Sequence, residues 1–234
     1  MAASQMIRQP SLCRAKAFQF FADQLPALNT TEGLLNAAIA ISMHAIDDVA
    51  PESIRAHLLG LSQLVRRRVH GRQSQALLAH LHEVLFREEG FFGNRKDYYN
   101  PENSYLSAVL ETRRGIPVTL CLIYKVVAEG IGLEVEGVNA PGHFLARVKT
   151  ADSVMIVDPF FGGGILTDSE ALGRIEQITG RPTLGNPQHL APAMHAQWIS
   201  RMLVNLQHVF ASTNRRGDLV AMQELRSLLD DSHH

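Results

Sequence analysis

An α+β fold is expected, on three observations. Apolar residues recur at helical spacing from Leu12 to about Glu88, the period falls to two between Val135 and Val157, and helical spacing returns after Met194. The 234 residues suffice for one or two compact units. Hydrophobic residues at 46% and charged residues at 19% exclude disorder as a description of the whole. Twenty-two basic against 23 acidic side chains leave a formal charge of −1, with no global field to draw in nucleic acid or an anionic membrane, so neither is expected as a partner. No apolar run reaches about 18 residues, and the nearest, Val118 to Ala128, is broken by Lys125; a membrane span is not expected. The opening segment, with Arg8, Gln9, Pro10 and Arg14, lacks the apolar block of a secretory signal, so a cytoplasmic setting is expected. There Cys13 and Cys121 stay as thiols. His233 and His234 read as a possible tag remnant and are set aside.

In the N-terminal part, residues 1–88, a helical bundle is expected. Leu34, Leu35, Ala38, Ile39, Ile41 and Ile46 follow Thr31, the expected N-cap, and the next helix opens at Pro51-Glu52. Leu58, Leu61, Leu64 and Val65 form one stripe; Leu77, Leu78, Leu81, Leu85 and Phe86 form another. The texture changes at Gly90, where aromatics and turn-formers through Pro101 make a loop. A short helix is expected over Ser104 to Glu111. A second begins at Pro117, whose missing N–H costs nothing at the first helical position, and ends at Gly130 or Gly132. Strands are expected at Val135–Val138, Phe144–Val148 and Val154–Val157, then a Gly-rich turn at Phe160–Gly164 and a helix capped by Asp168 or Ser169. Arg181 to Pro192 is a proline-punctuated connection, and helices over Met194–Ala211 and Leu219–Leu229 close the chain. The expected division is thus 1–88, 89–190 and 191–234.

The hairpin carries the chemistry. A four-residue loop at 149–152 sets His143 directly opposite Asp158, with Cβ atoms about 4.5–5.5 Å apart, near enough for the carboxylate to accept an imidazole N–H. Such a carboxylate fixes the tautomer and favours the charged ring, the orienting role in a triad. Cys121, in the preceding helix, supplies a nucleophile whose thiolate a nearby imidazolium and the helix N-terminus would favour. With Pro117 first in the helix, however, Cys121 is fifth, beyond the turn where that field is concentrated.

Several segments then resemble the bacterial SirB-one type of the transglutaminase-like superfamily. They are Glu89-Gly90-Phe91-Phe92-Gly93-Asn94, Asp97 through Ser104, Arg114-Gly115-Ile116-Pro117-Val118-Thr119-Leu120, Pro141-Gly142-His143-Phe144-Leu145 and Val157-Asp158-Pro159-Phe160. Ile199 to Leu229 is similar, more loosely, to that family's tetratricopeptide-like helices. The resemblance implies a papain-like core, one helix packed on an antiparallel sheet, with His143 and Asp158 at the family's histidine and aspartate positions. Active superfamily members use a cysteine to attack an amide or thioester carbonyl. No cofactor and no metal are implied.

Each candidate has a plainer reading. Cys121 can be a small buried hydrophobe among Leu120, Leu122 and Ile123. His143 can be a strand-end histidine bonded to backbone, and Asp158 before Pro159 can start a turn. Asn103 can donate to an oxyanion from its loop or serve as a turn residue. Gly162-Gly163-Gly164 lacks the Lys-Ser/Thr of a phosphate loop, and His80, His82 and Glu83 lack metal-ligand spacing and read as a helix surface. Arg66-Arg67-Arg68 reads as a solvated face, and Tyr98 and Tyr99, like Phe91 and Phe92, as loop packing beside a cleft. Two functions follow: a Cys121-His143-Asp158 acyl transferase or hydrolase, or a catalytically inactive module that holds a protein or peptide partner.

Overall fold

A computed structural model of the chain describes residues 9–71, 73–150, 153–183 and 185–232. The set-aside His233 and His234, and Arg8 of the opening segment, lie outside them. Four helices come first: α1 (Ala15–Ala22), α2 (Thr31–Ala45), α3 (Pro51–Arg66) and α4 (Ser74–His82). From Leu34 to His44 every residue of α2 is buried, as an Ala/Leu/Ile-rich helix surrounded by neighbours must be. Its N-cap is Thr30, one residue before the expected Thr31: the Thr30 side chain accepts the Gly33 N–H at 3.0 Å. The helix α4 runs on into a wide π turn, Glu83–Glu88.

After the loop come β1 (Phe92–Gly93), α5 (Leu106–Thr112), β2 (Arg114–Gly115) and α6 (Pro117–Gly130). Pro117 opens α6 as expected, and Gly132, at φ +93°, takes the left-handed turn beyond its end. Then follow β3 (Glu134–Val138), β4 (Leu145–Lys149), β5 (Val154–Asp158), β6 (Gly164–Leu166), α7 (Asp168–Thr179), β7 (Pro192–Ala193), α8 (His195–Ser212) and α9 (Arg216–Asp231). The helix α7 is capped by Thr167, in a reciprocal box with Glu170, rather than by Asp168 or Ser169.

The five-stranded antiparallel sheet runs in the order β6-β5-β4-β3-β7. Strand alternation splits its side chains between two layers. Phe144, Ala146, Val148 and Val157 join the main core with α6 and the N-terminal helices; Leu145 and Ile156 join a smaller cluster with Ala171 and Ile175 of α7. The main core runs without interruption from Cys13 to Leu229. Close approach fixes the C-terminal pair: a Cβ on Gly137 of β3 would lie 2.2 Å from the Trp198 ring, which itself packs on Phe144 at 4.6 Å. Among the described residues no helix is long and apolar enough to cross a membrane.

Candidate functional site

The hairpin register differs from expectation by two residues. Ala146 pairs with Val157 and Lys149 with Val154, so the connection follows Lys149, closed by Thr150 N donating to Ser153 O at 2.9 Å. Ala151 and Asp152 lie outside the described residues. Extended one step, this register sets Asp158 opposite Leu145 rather than His143. A two-residue displacement keeps the face, where a one-residue slip would have reversed it, and His143 still reaches its partner. Its Nε2 lies 3.0 Å from Asp158 Oδ2, with 2% of the histidine and none of the aspartate exposed. Asp158 as acceptor assigns the proton to Nε2 and leaves Nδ1 as the ring's acceptor.

Asp158 is also bound elsewhere. Its side chain follows Ile156 toward α7, where Arg174 Nη1 donates to the same Oδ2 at 3.0 Å, and its Oδ1 accepts the Phe161 N–H at 3.4 Å, capping the short turn Pro159–Phe161. A guanidinium stays charged at any ordinary pH, so Arg174 gives the buried carboxylate a permanent counter-ion. Arg174 also stacks over Phe161 at 4.3 Å, and Phe160 and Phe161 flank the His143 ring at 5.9 and 6.0 Å. From α8, Arg201 holds the carbonyls of Ala140 and His143 at 3.3 and 3.4 Å and Asn139 Oδ1 at 2.9 Å, fixing the loop that carries the histidine.

A cleft of about 250 Å³ opens on His143, walled by Arg95, Tyr98, Phe160 and Phe161. What α6 presents to it is Pro117, its first residue; Cys121 is not among the lining residues. Residues four apart share a helix face, so Cys121 lies one turn deeper behind the proline. The expected opening of the sulfur on the histidine's crevice is therefore corrected: Cys121 is wholly buried and its Sγ donates to the Phe144 carbonyl at 3.4 Å. Burial, reinforced by the Asp158 charge, pushes its thiol well above the ordinary range. Behind it Tyr124 is buried against His82, whose Nε2 lies 2.9 Å from the phenol oxygen, so His82, expected on a helix surface, is half-buried with one ring nitrogen turned inward. Desolvation pushes His82 down to about 4.

Asn103 is buried in the loop before α5. Its amide donates to the Asp97 and Tyr98 carbonyls at 2.7 and 3.2 Å and accepts from Asn94 at 2.9 Å, while its backbone carbonyl accepts the Ile116 N–H at the start of α6. Both amide hydrogens are engaged, so none is left for an oxyanion, and Asn103 acts as a brace for the loop and helix. Sequence reasoning reached His143 and Asp158 because their strands are adjacent in the chain. It missed Arg174 and Arg201, arginines on amphipathic helices with no local mark to distinguish them from solvated ones. For Pro117 the signal was present: a proline at the first helical position puts Cys121 past the first turn.

A central helix against an antiparallel sheet that carries a bonded histidine and aspartate defines a transglutaminase-like core. A family model described as "Transglutaminase-like superfamily" matches residues 52–204, and the chain belongs to that superfamily. It is 40% identical over 146 residues to a UPF0162 protein of Xylella fastidiosa, covering 59% of this chain and 50% of that one. It is 26% identical over 147 residues to a UPF0162 protein of Vibrio cholerae (63% and 54%), and 29% identical over 236 residues to F-box only protein 21 of Homo sapiens (85% and 35%). The chain thus spans about half the length of the UPF0162 relatives and about a third of the human one. No solved structure matches it.

Proposed function

We infer that this protein is a binding module on a transglutaminase-like fold, whose cleft over His143 holds a segment of a partner protein without covalent chemistry. One observation carries the reading: the only cysteine of the helix behind the cleft is wholly buried behind Pro117, with its sulfur bonded to a backbone carbonyl. A nucleophile needs a thiolate and a path to the substrate; burial disfavours the first and Pro117 stands across the second, which supports the binding reading. On this reading the His143–Asp158–Arg174 cluster braces the cleft wall. Residues 1–88 buttress the core, residues 89–190 hold the cleft, and residues 191–234, as tetratricopeptide-like helices of the SirB-one type, offer a second face to a partner. A cytoplasmic setting, where both thiols stay reduced, fits this role.

The 3.0 Å His143–Asp158 contact favours a second reading, acyl transfer or hydrolysis, with Cys121 as nucleophile, His143 as base and Asp158 as orienter. Asn103 would serve the oxyanion only by releasing its loop carbonyls. Labelling with an alkylating reagent at neutral pH, in a Cys13→Ser background, separates the two. The binding reading expects Cys121 to remain unmodified in the folded protein, with or without His143→Ala, and to label fully in urea. Rapid labelling of the folded protein that His143→Ala abolishes would establish the catalytic reading instead.

A further inference from the structure

One nitrogen of His143 is left over by the site. Asp158 takes Nε2, while Nδ1 has no hydrogen-bond partner among the described residues. In a cysteine-dependent site the nitrogen remote from the aspartate faces the nucleophile. Here the Cys121 sulfur is bonded to the Phe144 carbonyl instead. Nor is Nδ1 sealed in the core, as the unpaired Thr119 Oγ1 and Trp198 Nε1 are. The hollow that His143 lines is the cleft, so that is where the nitrogen can be reached.

The walls set the rest of the ligand. At the bottom His143, Pro117 and Phe160 are buried, and at the rim Arg95 and Ile178 are exposed. The half-buried rings of Tyr98 and Phe161 stand between. The volume, about 250 Å³, exceeds the roughly 150 Å³ of an apolar cavity that accepts one benzene ring, and so admits a ring with its substituents. A group that fills this space is flat, apolar on its faces, and tipped with a hydrogen-bond donor for Nδ1. A carboxylate would bring an acceptor to an acceptor. A primary amide would leave its own carbonyl unpaired among apolar walls, and an ammonium would enter beside Arg95 and Arg174, both stacked on Phe161. An indole carries its N–H on the flank of the ring and not at its tip. We propose that the cleft receives a tyrosine side chain of the partner segment, its ring among Tyr98, Phe160 and Phe161 and its phenol donating to His143 Nδ1. The inference rests on the binding reading above and adds the identity of the side chain that is held.

The test titrates the full chain with the N-acetyl amides of tyrosine, phenylalanine, tryptophan and glutamine. Binding is followed by ¹⁵N NMR of the histidine rings at pH about 8, where imidazoles are ordinarily neutral. The tyrosine derivative is expected to bind roughly tenfold more tightly than the phenylalanine one, the scale of one hydrogen bond to an otherwise unpaired group, and to shift the His143 Nδ1 resonance. Ile178→Trp, which fills the mouth from an exposed position, should abolish that binding with the urea midpoint unchanged. His143→Phe should bring the tyrosine and phenylalanine derivatives to equal affinity; should this variant fail to fold, the rim variant and the resonance shift decide. Equal affinity for the two derivatives in the unaltered protein, or binding that persists in Ile178→Trp, would overturn the phenol contact while leaving the binding module standing. Preference for the tryptophan or the glutamine derivative would overturn it in favour of an indole or an amide. Failure of all four to bind overturns it too. The binding reading is decided apart from these titrations, and it falls only if Cys121 labels under His143 control.

Discussion

Asp158 carries more of this site than a histidine orienter needs to. It accepts from His143, Arg174 and the Phe161 N–H while wholly buried, so the carboxylate is the hub of a cluster rather than one end of a relay. Removing the charge leaves the guanidinium without its counter-ion and the turn without its cap. Asp158→Asn is therefore expected to cost about 3 kcal/mol in urea unfolding, the scale of breaking one side of a buried pair. With Arg174→Gln already present, the same change should cost markedly less, because the two share one interaction. Equal costs in both backgrounds would show that Arg174 and Asp158 act independently. At this scale the sequence displayed the pair but not the hub. Two strands joined by a short loop bring His143 near Asp158, whereas Arg174 arrives from a helix whose packing no local pattern specifies. Cys121 was legible only as ambiguous, since a thiol among Leu120, Leu122 and Ile123 reads equally as core and as nucleophile.

Among the elements, α6 and the sheet decide what the cleft contains. The helix start was predictable from Pro117 and the strands from their period of two. The loop was misplaced because Lys149 joins the ladder opposite Val154 while Ser153 leaves it for the turn, which moves the four-residue connection one place along from 149–152. That error did little harm, because a shift of two residues conserves the face. Harder to foresee was how the sheet meets its neighbours. Gly137 lies inside the expected strand Val135–Val138, and its missing side chain is what lets the Trp198 ring of α8 approach β3. Gly137→Ala should lower stability by about 1–3 kcal/mol through overpacking, seen as a reduced urea midpoint, and Trp198→Phe should recover part of the loss. No recovery would mean that the cost lies in the strand backbone and not in the ring. The two misassigned caps, Thr31 for Thr30 and Asp168 or Ser169 for Thr167, miss by one or two residues because neighbouring residues in each place are all able to cap a helix.

Across the whole molecule, a continuous core joins the helices of 1–88 to those after 191, so the composition change at Gly90 marks a change of architecture rather than a break in packing. One consequence is acid lability. Burial lowers His82 to about 4, and His44, His57 and His195 are lowered in the same direction. The unfolded chain takes up these protons near 6.5 while the folded chain refuses them, so stability is complete above about 6.5 and falls as the pH drops toward 4. Glu170, Glu176 and Glu224, all lowered by hydrogen bonds, add their losses only below about 4.5. Urea midpoints should therefore already decline between 6.5 and 4.5, less steeply in His82→Gln, and a flat profile there would contradict the lowered proton affinity of these rings. The binding reading requires that position 117 of α6, and not position 121, faces His143. The direct measurement is the pH dependence of alkylation for two single-thiol proteins in a Cys13→Ser background, one retaining Cys121 and the other carrying Pro117→Cys with Cys121→Ala. The prediction is an inert Cys121 at every pH at which the protein stays folded, and a reactive thiol at 117 whose inflection lies below the ordinary thiol value and rises on His143→Ala. The opposite pattern, a fast, histidine-dependent Cys121 and an indifferent thiol at 117, would contradict it.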